Sequence, residues 1–194
     1  MRRLLLCAAL SLVRCAPDSE ARLDPGETDE VVNPSAAQAL AMPACGAALG
    51  TFDGTTAYSN AGYTGSGLSC AGYGSYGWRY QCVELVMRHF KTHWGLRWYG
   101  NAKDLLINAP AASVEVFHNG DATHPPVPGD MIVWGGGAYG HVALVTAVRP
   151  DAVDILEQNV AGDGHFTLAR DAGTISTPRW GWANPQGWAH AIAN

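Results

Sequence analysis

The sequence predicts an α+β domain in which one helix packs on an antiparallel sheet. The helix is indicated by residues 82–94, where apolar side chains recur every three or four positions and form one stripe. The sheet is indicated by three apolar, β-branched segments at about 130–134, 141–149 and 153–158. Because only short turns rich in glycine, proline and aspartate separate these segments, we expect them to pair as antiparallel hairpins.

The composition supplies material for one domain and no surface for nucleic acid. The chain has 194 residues with 47% hydrophobic content, which suffices for one core but not for two large domains. Its formal net charge is -5, and the lysines and arginines are scattered along the sequence. We therefore expect no nucleic-acid partner, and we expect a monomer that uses no cofactor.

The N-terminal segment predicts export to the bacterial cell envelope, the periplasm or the medium. Two arginines precede ten mostly apolar residues, 4–13, which is the layout of a secretory signal and too short to cross a bilayer. We assign residues 1–15 to this signal. Cys15 is a candidate lipidation site that would anchor the protein to a membrane, because the residues before it resemble a bacterial lipobox, although Arg14 departs from that pattern. Ordinary cleavage near Cys15 is the competing prediction.

The remainder of the chain divides into a tether and a folded domain. Residues 16–44 are rich in alanine, proline, aspartate and glutamate, so we expect a flexible acidic linker. We assign the folded domain to residues 45–194. Glycine is concentrated before residue 78 and predicts irregular structure ahead of the helix, whereas residues 99–109 are predicted to form a second, short helix.

Three of the five cysteines lie within the predicted domain. In an exported, oxidising setting Cys45 and Cys70 can form a disulfide, which leaves Cys82 as an odd thiol. The alternative is a bridge between Cys70 and Cys82. That bridge would leave the domain without a nucleophilic cysteine, and the sequence leaves both patterns open.

Cys82 stands at the predicted start of the helix, directly after Gln81. The first turn of a helix presents unpaired backbone N–H groups and the positive end of the helix dipole, and both favour a thiolate. A buried structural thiol is the alternative. A nucleophilic role for Cys82 therefore requires a base elsewhere in the chain.

His141, Glu157 and Asn159 are the candidates for that base and its partner. His141 begins the second predicted strand, and Glu157 and Asn159 lie at the end of the third. Alternation places Glu157 and Asn159 on one face of the strand, and an antiparallel hairpin brings them beside His141. A cysteine hydrolase uses a thiolate, an imidazole and an orienting carboxylate or amide.

Three segments, YQCVELVMRHF, PVPGDMIVWGGGAYGHVALVTAV and ILEQNV, resemble in this order and spacing the CHAP family of papain-like amidohydrolases and peptidases. The resemblance covers residues 72–160 and implies a papain-like fold whose catalytic cysteine begins a helix packed on an antiparallel sheet. It implies that Cys82 is the nucleophile and that His141 is the acid and base. It further implies that Glu157 orients His141, with Asn159 supporting that contact or the fold around it.

The resemblance implies a cysteine peptidase or amidase that cleaves peptidoglycan in its stem or cross-link peptides, or at the sugar–peptide amide. The reaction would pass through a thioester on Cys82. The expected oxyanion donors are the Cys82 backbone N–H and one further group, supplied by Gln81 or by the glycine-rich segment. Two alternatives are an amidase for a small amide such as glutathionylspermidine, which QCVEL resembles, and a non-catalytic module that binds the cell envelope.

No bound metal is expected. Residues 72–80 contain none of the aspartates with which some phage members bind calcium, and His89 and His93, four apart on the helix, have no evident third ligand. Three tryptophans near the C-terminus are expected to pack in the core and at strand edges, with a sugar-stacking platform as the alternative. They are Trp180, Trp182 and Trp188.

Overall fold

The computed structural model describes residues 42–177 and 181–192. The predicted signal, Cys15 and the linker up to residue 41 lie outside the described residues. Within the described ranges, no helix has the length and apolar character needed to cross a membrane.

The described residues form one helix and eleven strands. In chain order they are β1 (Ala48–Phe52), β2 (Thr55–Tyr58), β3 (Tyr73–Gly74), β4 (Gly77–Trp78), α1 (Cys82–Trp94), β5 (Val114–His118), β6 (Met131–Trp134), β7 (His141–Val148), β8 (Ala152–Leu156), β9 (His165–Asp171), β10 (Thr174–Ser176) and β11 (Gly187–Ala191). Two short 3-10 turns are also present, at Ala61–Tyr63 and Ala102–Asp104.

Seven of the described strands form a single antiparallel sheet in the order β10–β9–β8–β7–β6–β11–β5. The central hairpins β6–β7 and β7–β8 follow the chain order that the apolar segments predicted, and their ends lie within two residues of the expected positions. The prediction of an α+β domain with a helix on an antiparallel sheet is therefore confirmed. The remaining described strands form the small hairpins β1–β2 and β3–β4 ahead of α1.

Alternation along the strands separates two cores, one on each face of the sheet. On one face the apolar stripe of α1, including Leu85, Val86 and Phe90, is fully buried with Val142 and Leu144 of β7. Burial of each such side chain contributes about 1.5–3 kcal/mol. The other face carries a second core that contains the fully buried Trp188 of β11. The helix is thus fixed against the strand that begins at His141.

The end of α1 has a defined cap. Gly95 adopts a left-handed conformation with φ of 71°, and its N–H donates to the carbonyls of Lys91 and Phe90. A side chain at this position would be strained, so glycine is suited to stopping the helix here.

The prediction of a second helix at residues 99–109 is wrong. Only the 3-10 turn Ala102–Asp104 forms there. Side chains take the carbonyls that a longer helix would use, because Trp98 Nε1 donates to the Leu105 carbonyl at 2.9 Å and Asn108 Nδ2 donates to the Tyr99 carbonyl at 3.0 Å. These local hydrogen bonds, together with the one from the Lys103 N–H to the Tyr139 carbonyl, outweigh the modest helix propensity of the loop.

The glycine-rich segment ahead of the helix is held by a disulfide between Cys45 and Cys70. The bridge joins residues that are 25 positions apart and ties the chain before β1 to the chain before β3. Cys82 is left as a free, buried thiol. Of the two cysteine patterns that the sequence left open, the structure has the one that keeps a thiol at the start of α1.

His89 is a buried, uncharged histidine on the core side of α1. Its Nδ1 lies 2.9 Å from Thr55 Oγ1, and among the described residues its Nε2 has no hydrogen-bond partner. Burial, together with the nearby charge of His93, lowers the pKa of His89 to about 4, although Asp53 acts in the opposite direction. A histidine in the unfolded state has a pKa near 6.5. As the pH falls, the unfolded state is therefore protonated at His89 before the folded state is.

We expect His89 to make the fold sensitive to acid. A depressed pKa contributes stability that is present above about pH 6.5 and is lost as the pH falls towards 4, which amounts to up to about 3 kcal/mol. His89→Gln should weaken this dependence when the free energy of unfolding is measured by urea titration between pH 7 and 4. His118→Gln, which replaces an exposed histidine, is the matched control. An unchanged pH dependence in His89→Gln would contradict the prediction.

Candidate active site

Cys82 is presented by a sharp turn between β4 and α1. Tyr80 has a left-handed backbone with φ of 63°, and the Gln81 N–H donates to the Trp78 carbonyl at 3.2 Å. Gln81 is the extended N-cap residue, so Cys82 takes the first position of the helix. The backbone N–H of Cys82 therefore has no acceptor within the helix and is available to a bound group.

His141 begins β7 at the end of a glycine-rich turn. The preceding Gly140 has φ of 70°, and a Cβ at this residue would lie 2.5 Å from the Trp134 carbonyl oxygen. Glycine is therefore required directly before the histidine. The turn is held from outside by the loop that was predicted to be a helix, because the Lys103 N–H donates to the Tyr139 carbonyl at 3.1 Å.

The imidazole of His141 lies between Glu157 and Cys82. Its Nε2 is 2.9 Å from Glu157 Oε2, and both side chains are buried. Cys82 lines the same cavity as His141 and acts on the ring closely enough to raise its pKa. Because Nε2 is occupied by the carboxylate, Nδ1 is the nitrogen left for Cys82. The structure thus brings together the three side chains that the sequence analysis proposed as nucleophile, base and orienting acid.

The charge state of His141 follows from these contacts. Burial of the ring opposes its protonation, but hydrogen bonds to Cys82 and Glu157, with the negative charge on each, outweigh burial and raise the pKa of His141 to about 9. At neutral pH the ring is therefore an imidazolium. The positive charge of the ring is therefore placed beside Cys82.

Gln158 connects the strand end to the helix start. It is fully buried, and its Nε2 donates to the Gln81 carbonyl and to Glu84 Oε2, each at 3.0 Å. Its Oε1 accepts from the Tyr58 N–H at 2.8 Å. Sequence reasoning missed this residue, because a glutamine between two candidate site residues gives no distinct signal, although its position directly beside Glu157 was available.

Asn159 lines the same cavity as His141, and its side-chain hydrogen bonds go to other residues. Strand β8 ends at Leu156 and Asn159 has a left-handed backbone with φ of 63°, so the alternation of the strand does not extend to Asn159. Its Nδ2 donates to Gln81 Oε1 at 2.7 Å, and its Oδ1 accepts from Asn60 Nδ2 at 2.8 Å. These bonds join Asn159 to the start of α1 and to the glycine-rich segment, and its role in the site stays a prediction.

Gln81 holds the glycine-rich segment against the start of α1. Its Nε2 donates to the carbonyls of Ser66 and Leu68. Since the amide nitrogen is directed to these two carbonyls, the side chain does not present a donor to the cleft in this structure. The oxyanion role expected of Gln81 therefore has no support from its side-chain contacts, and that of the Cys82 backbone N–H stays a prediction.

Trp182 departs from the expected core packing. It is 38% exposed, and its ring makes an edge contact with His141 at a centroid distance of 5.3 Å. A second edge contact joins it to Trp134 at 6.2 Å. Trp188 is in the core as expected, and Trp180 lies outside the described residues. Among the sequence predictions, only the alternative of a sugar-stacking platform indicated that a tryptophan in this segment could line the site.

A cavity of about 420 Å³ opens above these residues. Its lining combines Cys82 and His141 with Asn159, Trp182 and the glycine-rich turn 136–140. In the described part of the chain, no group of three or more histidine, cysteine, aspartate or glutamate side chains is placed to hold a metal ion.

Residues 71–159 match the CHAP domain family, which confirms the resemblance stated from the sequence motifs. Over 102 residues the chain is 38% identical to the endolysin PlyTW of Staphylococcus phage Twort, a match that covers 48% of this chain and 21% of the endolysin. Over 98 residues it is 31% identical to the bifunctional glutathionylspermidine synthetase/amidase of Escherichia coli, covering 43% of this chain and 16% of that protein. The chain thus spans less than a quarter of the length of these two relatives.

Among solved structures, the chain has a partial match to the wild-type endolysin LysIME-EF1. That match has 23% sequence identity and a TM-score of 0.42, and it covers 69% of this chain and 61% of the endolysin. The structure of Ly7917 matches with 20% identity and a TM-score of 0.42, covering 58% of this chain and 53% of that one.

We expect Cys82 to react with iodoacetamide at pH 6, because it stands at the first position of α1 and beside the His141 imidazolium. Mass spectrometry of the intact chain should show alkylation roughly tenfold faster in the native protein than in His141→Gln. Cys82→Ala identifies the modified site and separates it from Cys7 and Cys15. Equal rates in the native protein and His141→Gln would contradict the proposed contact.

Proposed function

We propose that this protein is a cysteine-dependent amide hydrolase that acts on peptidoglycan. The premise is the match to the CHAP domain at residues 71–159. The observation that carries the proposal is that Cys82 and His141 line one cavity while the buried Glu157 holds the His141 ring at 2.9 Å. The identity to a phage endolysin supports peptidoglycan as the substrate class. We also propose that the fold is papain-like, with the nucleophile at the start of a helix.

The first half of the reaction forms a thioester. Cys82 Sγ adds to the amide carbonyl carbon, and the π electrons move to the oxygen to give a tetrahedral oxyanion. The Cys82 backbone N–H, which has no helical acceptor, donates to that oxygen. The His141 imidazolium transfers its Nδ1 proton to the departing nitrogen, the C–N bond breaks, and the amine leaves with this proton.

The second half restores the enzyme. Neutral His141 takes a proton from a water molecule, whose oxygen adds to the thioester carbonyl. The C–S bond then breaks, the carboxylic acid product leaves, and Cys82 and His141 return to thiolate and imidazolium. Glu157 accepts from Nε2–H throughout, so it fixes the tautomer and the orientation of the ring and stabilises its positive charge.

The proposed substrate and the predicted export signal are consistent with each other. Peptidoglycan lies outside the cytoplasm, and residues 1–15 have the layout of a secretory signal. We therefore propose that the protein acts in the cell envelope or after secretion, with Cys15 as the candidate lipid anchor.

A second candidate function is hydrolysis of a small amide such as glutathionylspermidine. The observation that favours it is the 31% identity to the Escherichia coli synthetase/amidase over 98 residues. Both candidates use the same chemistry at Cys82, so the substrate distinguishes them. A non-catalytic binding module would have no need to bury Glu157 against His141, and this contact favours an enzyme.

Mass spectrometry of purified peptidoglycan after incubation with the full chain tests the proposal. We expect new soluble fragments from the native protein and at least a 10³-fold lower yield from Cys82→Ala, because the thioester cannot form. Circular dichroism and thermal melting of the variant establish that it is folded. Fragments from Cys82→Ala at the native rate would contradict a cysteine mechanism, and release of spermidine from glutathionylspermidine without new peptidoglycan fragments would favour the second candidate.

A further inference from the structure

A second cavity, of about 430 Å³, adjoins the first. Both are lined by Gln81, Cys82 and Tyr139, so the two cavities are arms of one cleft that meet at the candidate nucleophile. His141 lines the first arm but not the second. The cleft therefore extends from Cys82 in two directions that differ chemically.

The proposed reaction assigns one half of the substrate to each arm. The leaving amine must lie where His141 can protonate it, which places it in the arm that His141 and Trp182 line. The acyl half remains bonded to Cys82 and must extend away from His141. We call the second arm, lined by Trp78, Arg97, Tyr99 and the residues near them, the acyl arm.

Arg97 is the cation of the acyl arm. It is half-buried, with its guanidinium carbon 4.7 Å from the ring centre of Tyr99 and 5.7 Å from that of Tyr76. These rings hold the planar group in place and leave its N–H donors available. Among the described residues, no carboxylate lies within ion-pairing distance of Arg97.

Glu84 is the one acidic side chain that lines the acyl arm among the described residues, and it is already paired. Arg88 Nε donates to Glu84 Oε1 at 2.7 Å, and Gln158 Nε2 donates to Oε2 at 3.0 Å. The charge of Glu84 is therefore compensated by Arg88. The positive charge of Arg97 is left for a ligand.

We infer that the acyl arm selects substrates whose acyl half carries a carboxylate, and that Arg97 binds this group through paired N–H donors. The inference rests on the proposed function and names its substrate more closely. In a peptide that continues through the side chain of a glutamate, the α-carboxylate of that isoglutamate stays free. The inference therefore predicts cleavage within the peptide, on the C-terminal side of an isoglutamate, and not at the sugar–peptide amide.

Two synthetic stem peptides that differ only in isoglutamate or its amide, isoglutamine, test the inference. With the full native chain we expect kcat/KM to be at least about tenfold higher for the acid, because a charge-assisted hydrogen bond is lost in the amide. Arg97→Gln should lower kcat/KM for the acid, mainly through KM, and leave the amide unchanged. Arg97→Lys should retain part of the preference, and the exposed variant Arg149→Gln should retain all of it.

The outcomes separate this inference from the proposed function. Equal hydrolysis of both peptides by the native chain, or a preference that survives in Arg97→Gln, would overturn the role of Arg97 and leave the amide hydrolase in place. A preference for the amide would overturn it in the same way. Failure of the folded native chain to hydrolyse either peptide, when whole peptidoglycan is also left intact, would overturn both.

Discussion

The buried hydrogen bond between His141 and Glu157 is the interaction on which the candidate site depends. A carboxylate with almost no exposure to water is stable only if a positive charge or several donors compensate it. The imidazolium of His141 supplies that charge at 2.9 Å. The same bond fixes the ring and leaves its other nitrogen for Cys82, so it links the folding of the core to the chemistry of the cleft.

Three consecutive residues at the end of β8 hold three different parts of the site. Glu157 holds the histidine, Gln158 holds the start of α1 through Gln81 and Glu84, and Asn159 holds the glycine-rich segment through Asn60 and Gln81. A displacement of this strand end would move the base, the nucleophile and the cleft wall together. This arrangement explains why an otherwise irregular region of many glycines can form one wall of a defined cavity.

The sequence predicted the parts of the structure that depend on local periodicity. The apolar stripe of α1 and the strands β6 to β8 are set by alternation and by short turns, so His141 and Glu157 could be placed side by side in advance. The contacts of Gln158, the left-handed Asn159 and the position of Trp182 depend on tertiary packing that has no periodic signal. The prediction of a helix at 99–109 was wrong because side chains at this segment bond to its carbonyls and its backbone supports the turn before His141. Neither kind of contact has a periodic signal in the sequence.

The protonation of His141 tests the central claim most directly. An NMR titration of its ring nitrogens in the full native chain should give a pKa of about 9, and the pKa should fall in Cys82→Ala and in Glu157→Gln, each of which removes one hydrogen bond to the imidazolium. A native pKa at or below 6.5, unchanged in both variants, would contradict the account, because His141 would then be a neutral ring coupled to neither partner.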